Sequence, residues 1–133
     1  MEKITKNIRY RYDNPRSVIS ISEYKTDFIN IGGGFSAIWD TGATNTVISK
    51  QVARELKLKP ISTTELRVVN GTIICNVYKI IINIANRIKK VINVTEAELG
   101  NIDVLIGMDI IGDGDFTITG DYPNRLLSYS TSR

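Results

Sequence analysis

The chain has 133 residues, the size of one ordinary domain spanning 1–133, and leaves no room for a second catalytic lobe. Its 42% hydrophobic and 23% charged residues exclude a wholly disordered chain, a collagen and a disulfide-stapled miniprotein, and a formal charge of +3 is too small to argue for nucleic acid or an anionic membrane. The absence of His removes Ser-His-Asp and Cys-His pairs, His bases and most catalytic zinc sites, so an enzyme built from this chain works with carboxylates, Lys, Tyr or backbone groups.

With 22 Ile, 9 Val and 12 Thr against 5 Ala and 7 Leu, strands should dominate, because β-branched side chains are stiff at χ1 and pack well on a pleated surface. Met1 to Tyr12 mixes charge and apolar residues too finely for a signal peptide. Within it, Ile8-Arg9-Tyr10-Arg11-Tyr12 alternates as an edge strand would; the competing reading, a stacking strand for nucleic acid, is the weaker one. Val18–Ser22 alternates as a strand. Asp27–Ile31 and Phe35–Trp39 flank Gly32-Gly33-Gly34, which reads as a hairpin turn. Ser49 is positioned to cap a helix that runs through Val52, Ala53 and Leu56 and stops before Pro60. Leu66–Val69 and Ile73–Ile84 flank Asn70-Gly71, a strong hairpin signal because both residues tolerate the left-handed conformation of a type I′ turn. Cys75 in this run is a small core or cleft hydrophobe. The apolar run Ile80-Ile81-Ile82-Asn83-Ile84 is far short of the ~20 residues of a membrane helix, which predicts a cytoplasmic protein without a membrane partner. Ile88–Val94 and Val104–Ile106 are further strands, and a one-turn helix follows Gly107 through Met108-Asp109-Ile110-Ile111. Asp109, Asp113 and Asp115 lack the spacing of a calcium loop and read as a solvated loop. Phe116–Thr119 and Leu126–Tyr129 close the chain.

Chemistry concentrates in Ala37-Ile38-Trp39-Asp40-Thr41-Gly42-Ala43-Thr44-Asn45-Thr46-Val47-Ile48-Ser49. An apolar strand delivers a carboxylate to its end, a Thr-Gly pair turns the chain, and an apolar pair leads into the helix. Ile38 and Asp40 share one strand face and Trp39 takes the other. By itself Asp40 could be a turn aspartate bonding its own backbone. Some sixty residues on, Val104-Leu105-Ile106-Gly107 repeats the apolar strand ending in Gly, and the Asn70-Gly71 hairpin lies between the two.

That order of elements resembles the retropepsin-like aspartic proteases over roughly Val18 to Tyr129. The resemblance implies an all-β, closed β-barrel half-lobe with one short helix after the catalytic loop and one near the C-terminus. It further implies that Asp40 is the catalytic aspartate, that Thr41 and Gly42 support the catalytic loop, and that a hairpin over about 64–84 is a flap. Ile38, Ala43, Thr44, Asn45, Val47, Val68, Val69, Asn70, Gly71, Ile73 and Leu105 are then the candidate substrate-binding residues. Thr44 and Asn45 stand where retroviral enzymes commonly carry acids, and Met108-Asp109 where they carry an Arg-Asn pair, so the acid-to-Arg bridge of the retroviral dimer is absent.

Aspartic protease chemistry needs two carboxylates about 3 Å apart sharing one proton, because like charges that close cannot both ionise. No second Asp-Thr/Ser-Gly exists in the chain. A homodimer is therefore expected, with one Asp40 from each copy, acting on a polypeptide substrate without metal or cofactor and without nucleic acid. The alternative is a catalytically silent, protease-like module that dimerises or binds peptide.

Overall fold

A computed structural model describes residues 6–11, 16–23, 30–84, 88–120 and 126–131. Among the described residues, ten strands and two short helices follow in the order β1 (Lys6–Arg11), β2 (Arg16–Glu23), β3 (Asn30–Trp39), β4 (Val47–Ser49), α1 (Lys50–Glu55), β5 (Ser62–Val68), β6 (Gly71–Ile84), β7 (Ile88–Ala97), β8 (Val104–Ile106), α2 (Met108–Ile111), β9 (Asp115–Thr119) and β10 (Leu126–Thr131). The chain is all-β in class, as its β-branched composition requires.

Seven strands form one sheet in the order β2-β3-β8-β4-β7-β6-β5, and β2 also pairs β6. The C-terminal half of β6 lies against β2 (Ile80↔Glu23 to Ile84↔Ile19), while its N-terminal half carries β5 (Val77↔Ser62 to Gly71↔Val68). The sheet thus wraps back on itself rather than closing all strands into the expected barrel: β5 leaves the wrap as an edge, and β1, β10 and β9 form a separate three-stranded sheet. Fully buried Ile21, Ile80, Ile82, Ile84, Ile88 and Ile106 fill the interior, each stabilising the fold by about 1.5–3 kcal/mol. Trp39 joins the two sheets, with ring centroids 5.7 Å from Phe116 and 5.1 Å from Tyr129.

Two local expectations are corrected. Gly32-Gly33-Gly34 is not a turn: β3 runs through it, and the register against β2 slips between Ser20 and Ser22. Glycine serves such an irregularity as readily as a hairpin loop; Asp27, Phe28 and Ile29 lie outside the described residues. The β5–β6 tip is one residue earlier than expected. Val68 pairs Gly71, so Val69-Asn70 is the loop, and Gly71 at φ +133° takes up the unusual backbone angle. Neither Val69 nor Asn70 has positive φ, which rules out the type I′ turn. Helix α1 does begin on Ser49, whose Oγ accepts the Val52 N–H at 3.0 Å. Its end is set before Pro60 is reached. Lys57 N–H donates to Arg54 O and Leu58 N–H to Ala53 O, a Schellman closure that holds Lys57 at φ +53°.

Tyr129 ties the small sheet to α2 by donating its hydroxyl to Ile110 O. Burial, then the nearby Asp113 carboxylate, push its phenol up to about 12, against a lowering contribution from Thr131. Burial also raises Tyr78, with Asn76 lowering and Glu96 raising it further. A phenol that ionises near pH 10 when unfolded but only near pH 12 when folded keeps its proton longer in the native state. Stability is therefore fully present below pH 10 and lost as pH rises from about 10 to 12, by an amount on the order of 2 kcal/mol for Tyr129. Thermal melts across pH 8–12 should show that fall. Tyr129→Phe should start less stable by about 1–3 kcal/mol, because Ile110 O loses its partner, and should fall less steeply; a slope identical to wild type would disprove the assignment.

Candidate active site

The alternation of β3 sets the position of the carboxylate. Ala37 and Trp39 are buried and Ile38 is half-buried, so the strand is anchored up to the residue before Asp40. Asp40 N–H then donates to Ile106 O at 2.8 Å, which fixes the point where the chain leaves the sheet. The turn that follows folds onto the same side chain: Gly42 N–H donates to Asp40 Oδ1 at 2.9 Å, and Ala43 N–H donates to Asp40 O at 3.1 Å. A Cβ on Gly42 would sit 3.2 Å from Asp40 Oδ1, tight enough to disturb that contact. The result is a half-buried carboxylate with one oxygen oriented by backbone, at a loop whose Thr41 and Gly42 are exposed.

A second layer holds this loop from beneath. Strand β8 lies parallel to β3 (Ala37↔Val104 to Trp39↔Ile106) and antiparallel to β4 (Val47↔Leu105, Ile48↔Val104), so Gly107 passes directly against residues 43–45. There Met108 N–H donates to Ala43 O at 2.8 Å and Asp109 N–H to Thr44 O at 3.2 Å. Buried Thr46 completes the clamp: its hydroxyl donates to Asp109 Oδ1 at 2.6 Å and accepts the Gly107 N–H at 3.1 Å, while its own N–H donates to Asp109 Oδ2 at 2.9 Å. Asp109 is thus not the solvated loop residue its surroundings suggested; both of its oxygens are used. A buried Thr hydroxyl needs partners, but its acceptor lies 63 residues away, and sequence spacing does not connect them. Asp103 braces the neighbouring strands in the same manner, its Oδ2 accepting from Ser36 N–H at 3.1 Å and Ser36 Oγ at 3.3 Å, and its carbonyl accepting the Ser49 N–H at 2.8 Å.

A groove of about 540 Å³ opens beside this loop, within the usual range for ligand sites. It brings together Ala43, Thr44, Asn45 and Val47 with Thr64, Glu65 and Leu66 of β5, Val77 of β6 and Asn93–Thr95 of β7. Among the other candidate substrate-binding residues, Val68, Val69, Asn70, Gly71 and Ile73 lie at the exposed end of the β5–β6 hairpin. Leu105 pairs with both Ile38 and Val47, but of these three only Val47 lines the groove. The sequence does not point to Thr64, Glu65, Asn93 and Thr95, because it is the pairing of β7 with β4, and of β5 with β6 beyond it, that brings them to the loop. Among the described residues no cluster of three His, Cys, Asp or Glu is placed to hold a metal ion. Nor is any described helix long and apolar enough to cross a membrane.

The model of one family, described as gag-polyprotein putative aspartyl protease, matches residues 29–113. No curated protein gives a significant match. Among solved structures, a retropepsin-like aspartic protease from Rickettsia conorii is similar at TM-score 0.60 and 17% identity, covering 98% of this chain and 95% of that one. The simian foamy virus (mac) protease is similar at TM-score 0.54 and 20% identity, covering 73% of this chain and 91% of that one. These likenesses place the fold among the retropepsin-like proteins.

Proposed function

The chain belongs to the gag-polyprotein putative aspartyl protease family, and from that premise we propose that it is an aspartic endopeptidase whose catalytic pair is Asp40 from each of two copies. The single observation carrying this reading is the placement of Asp40: one acid at the end of a buried strand, oriented by the Gly42 N–H, on a loop clamped from below and flanked by a groove. The chain, residues 1–133, would act as one half-lobe of the enzyme.

In the assembled pair, two carboxylates about 3 Å apart hold a single proton. The ionised one takes a proton from a trapped water, which attacks the peptide carbonyl, and the protonated one donates a hydrogen bond to the developing oxyanion. Thr41 and Gly42 support the loop that presents the acid. The β5–β6 hairpin acts as the flap, and an extended peptide lies as an added strand between it and the catalytic loop. Val47 and Leu66 in the groove, with Val68 and Ile73 near the hairpin end, favour apolar side chains flanking the scissile bond.

The test is cleavage of a peptide library. Cleavage should give a bell-shaped pH profile with an acidic maximum, because only the singly protonated pair is competent and its steps belong to the pair. A statine-type transition-state mimic should block it, and specific activity should fall on dilution. A dimer that binds peptides without cleaving them would overturn the reading and leave a silent module in its place.

A further inference from the structure

Behind the groove, on the other face of the same strands, a second cavity is ringed by cations. We propose that it binds a small sugar phosphate, the phosphate held by Lys50, Arg54 and Lys57 and the sugar hydroxyls by Glu96. The proposal does not rest on the protease reading, because β6 and β7 separate the two cavities and give each its own residues. Val77 and Thr95 pair and line the groove. Their neighbours Asn76, Tyr78 and Glu96 take the opposite face, as strand alternation requires, and line a cavity of about 530 Å³, a volume suited to a small molecule.

The other wall is α1 with its closing turn. Lys50 and Arg54, four residues apart, share one helix face, and Lys57 follows on the turn; all three are exposed and line the cavity. Among the described residues, neither Arg54 nor Lys57 has an ion pair or a side-chain hydrogen bond. Lys50 reaches Glu98 at 3.7 Å, but the side chains are 45% and 80% exposed, so the pair is worth little and opens easily. Two uncompensated positive charges therefore face the cavity, with a third at hand. That count matches a phosphate monoester, which carries about −1.5 to −2 at pH 7 and offers three acceptor oxygens, better than it matches a single carboxylate. Lys57 adds to the case. Its φ of +53° is the conformation of a Gly or Asn helix stop, so this position sets an ammonium beside the cavity where backbone preference alone would select a short, uncharged residue.

The floor dictates what the phosphate is attached to. The Tyr78 hydroxyl donates to Glu96 Oε2 and Asn76 Nδ2 donates to Glu96 Oε1, both at 2.9 Å, and Tyr78 is only 4% exposed. The carboxylate is thus held in place by neutral donors and keeps its charge. Each of its oxygens accepts one of these bonds and retains a further lone pair. A fixed negative charge repels a phosphate from the floor and accepts hydroxyl protons there, which orients a ligand with its anion at the rim and its hydroxyls inward. A nucleic-acid strand would instead need an aromatic face for stacking, and the ring of Tyr78 is buried.

The experiment is calorimetric titration of the full chain at low salt with glucose 6-phosphate, inorganic phosphate and glucose. Glucose 6-phosphate should bind at least about tenfold more tightly than inorganic phosphate, and glucose alone should show no saturable binding. Arg54→Gln should weaken glucose 6-phosphate at least about tenfold with an unchanged far-UV spectrum. Lys57→Gly separates binding from folding. Glycine accepts the positive φ without strain, so the melting temperature should hold or rise while affinity falls at least about tenfold. Glu96→Gln should act with opposite signs, tightening inorganic phosphate and abolishing the preference for the sugar. Asp40→Asn should bind glucose 6-phosphate as the wild type does. The proposal is overturned if glucose 6-phosphate shows no saturable binding, or if inorganic phosphate binds equally well, which would leave an ion site only. It is equally overturned by wild-type affinity in Arg54→Gln or Lys57→Gly, by an unchanged sugar preference in Glu96→Gln, or by weakened binding in Asp40→Asn. Tighter, length-dependent binding of oligothymidylate would overturn it too and make the three cations a nucleic-acid contact.

Discussion

Asp40→Asn should lower peptide cleavage by at least about 10³-fold while leaving the fold and its melting temperature nearly unchanged. The expectation follows from what each Asp40 oxygen does. Oδ1 accepts the Gly42 N–H, and an Asn side chain, similar in shape, keeps a carbonyl oxygen for that bond, so the turn Asp40-Thr41-Gly42-Ala43 survives. The amide cannot take a proton from water, and general acid–base transfer by a positioned group contributes roughly 10²–10⁴-fold, with both steps of the reaction depending on the same pair. Mixing adds a sharper test. If one site needs an Asp40 from each chain, an equimolar exchange of wild-type and Asp40→Asn subunits leaves only about a quarter of the sites with two carboxylates, by random pairing in a two-fold dimer. If each chain holds a complete site, half the activity remains. Retention of full cleavage by Asp40→Asn would reduce Asp40 to a turn residue that satisfies its own backbone.

The parts of this architecture that were legible in the sequence are those set by neighbouring residues. The alternation leading to Asp40, the Ser49 cap and the apolar Val104–Ile106 strand ending at Gly107 each show a local period or a capping oxygen, and each is present. Contributions from distant residues were not legible. Thr46 and Asp109 are 63 positions apart, and Thr64 and Asn93 reach the same groove because β7 pairs β4 beside the loop and β6 carries β5 next to β7. Lys57 shows a different limit: a helix ended by hydrogen bonds from Lys57 and Leu58 needs a left-handed residue there, and packing of buried Leu58 enforces it on a Lys that local preference would not choose. The glycines of β3 show the converse, since a residue that tolerates every backbone angle does not announce which one it has adopted.

Gly107→Ala should destabilise the protein by about 3 kcal/mol or more and cost at least about 10²-fold in cleavage, although residue 107 does not line the groove. A Cβ there would lie 2.6 Å from both the carbonyl carbon and the oxygen of Asn45 and 2.9 Å from Ala43 O. These are backbone atoms and cannot rotate away, so the clash is relieved only by moving residues 43–45 off β8. That movement breaks or stretches Met108 N–H to Ala43 O, Asp109 N–H to Thr44 O and the Gly107 N–H bond to Thr46, each worth about 1 kcal/mol when satisfied and more when left buried without a partner. The loop that carries Asp40 moves with them, and a misplacement near 1 Å can cost on the order of 10²-fold in rate. The comparison that isolates the clamp is Asp109→Ala against Asp109→Asn. The alanine orphans the Thr46 N–H and hydroxyl together and should cost about 2–4 kcal/mol. The asparagine keeps an oxygen for the N–H and lets its amide donate to the hydroxyl, which should recover at least half of that loss in thermal melts. Equal destabilisation by both would show that the charge of Asp109, rather than its two acceptor positions, supports the loop. An unaffected Gly107→Ala would show that residues 43–45 have room to move and that β8 does not set where Asp40 points.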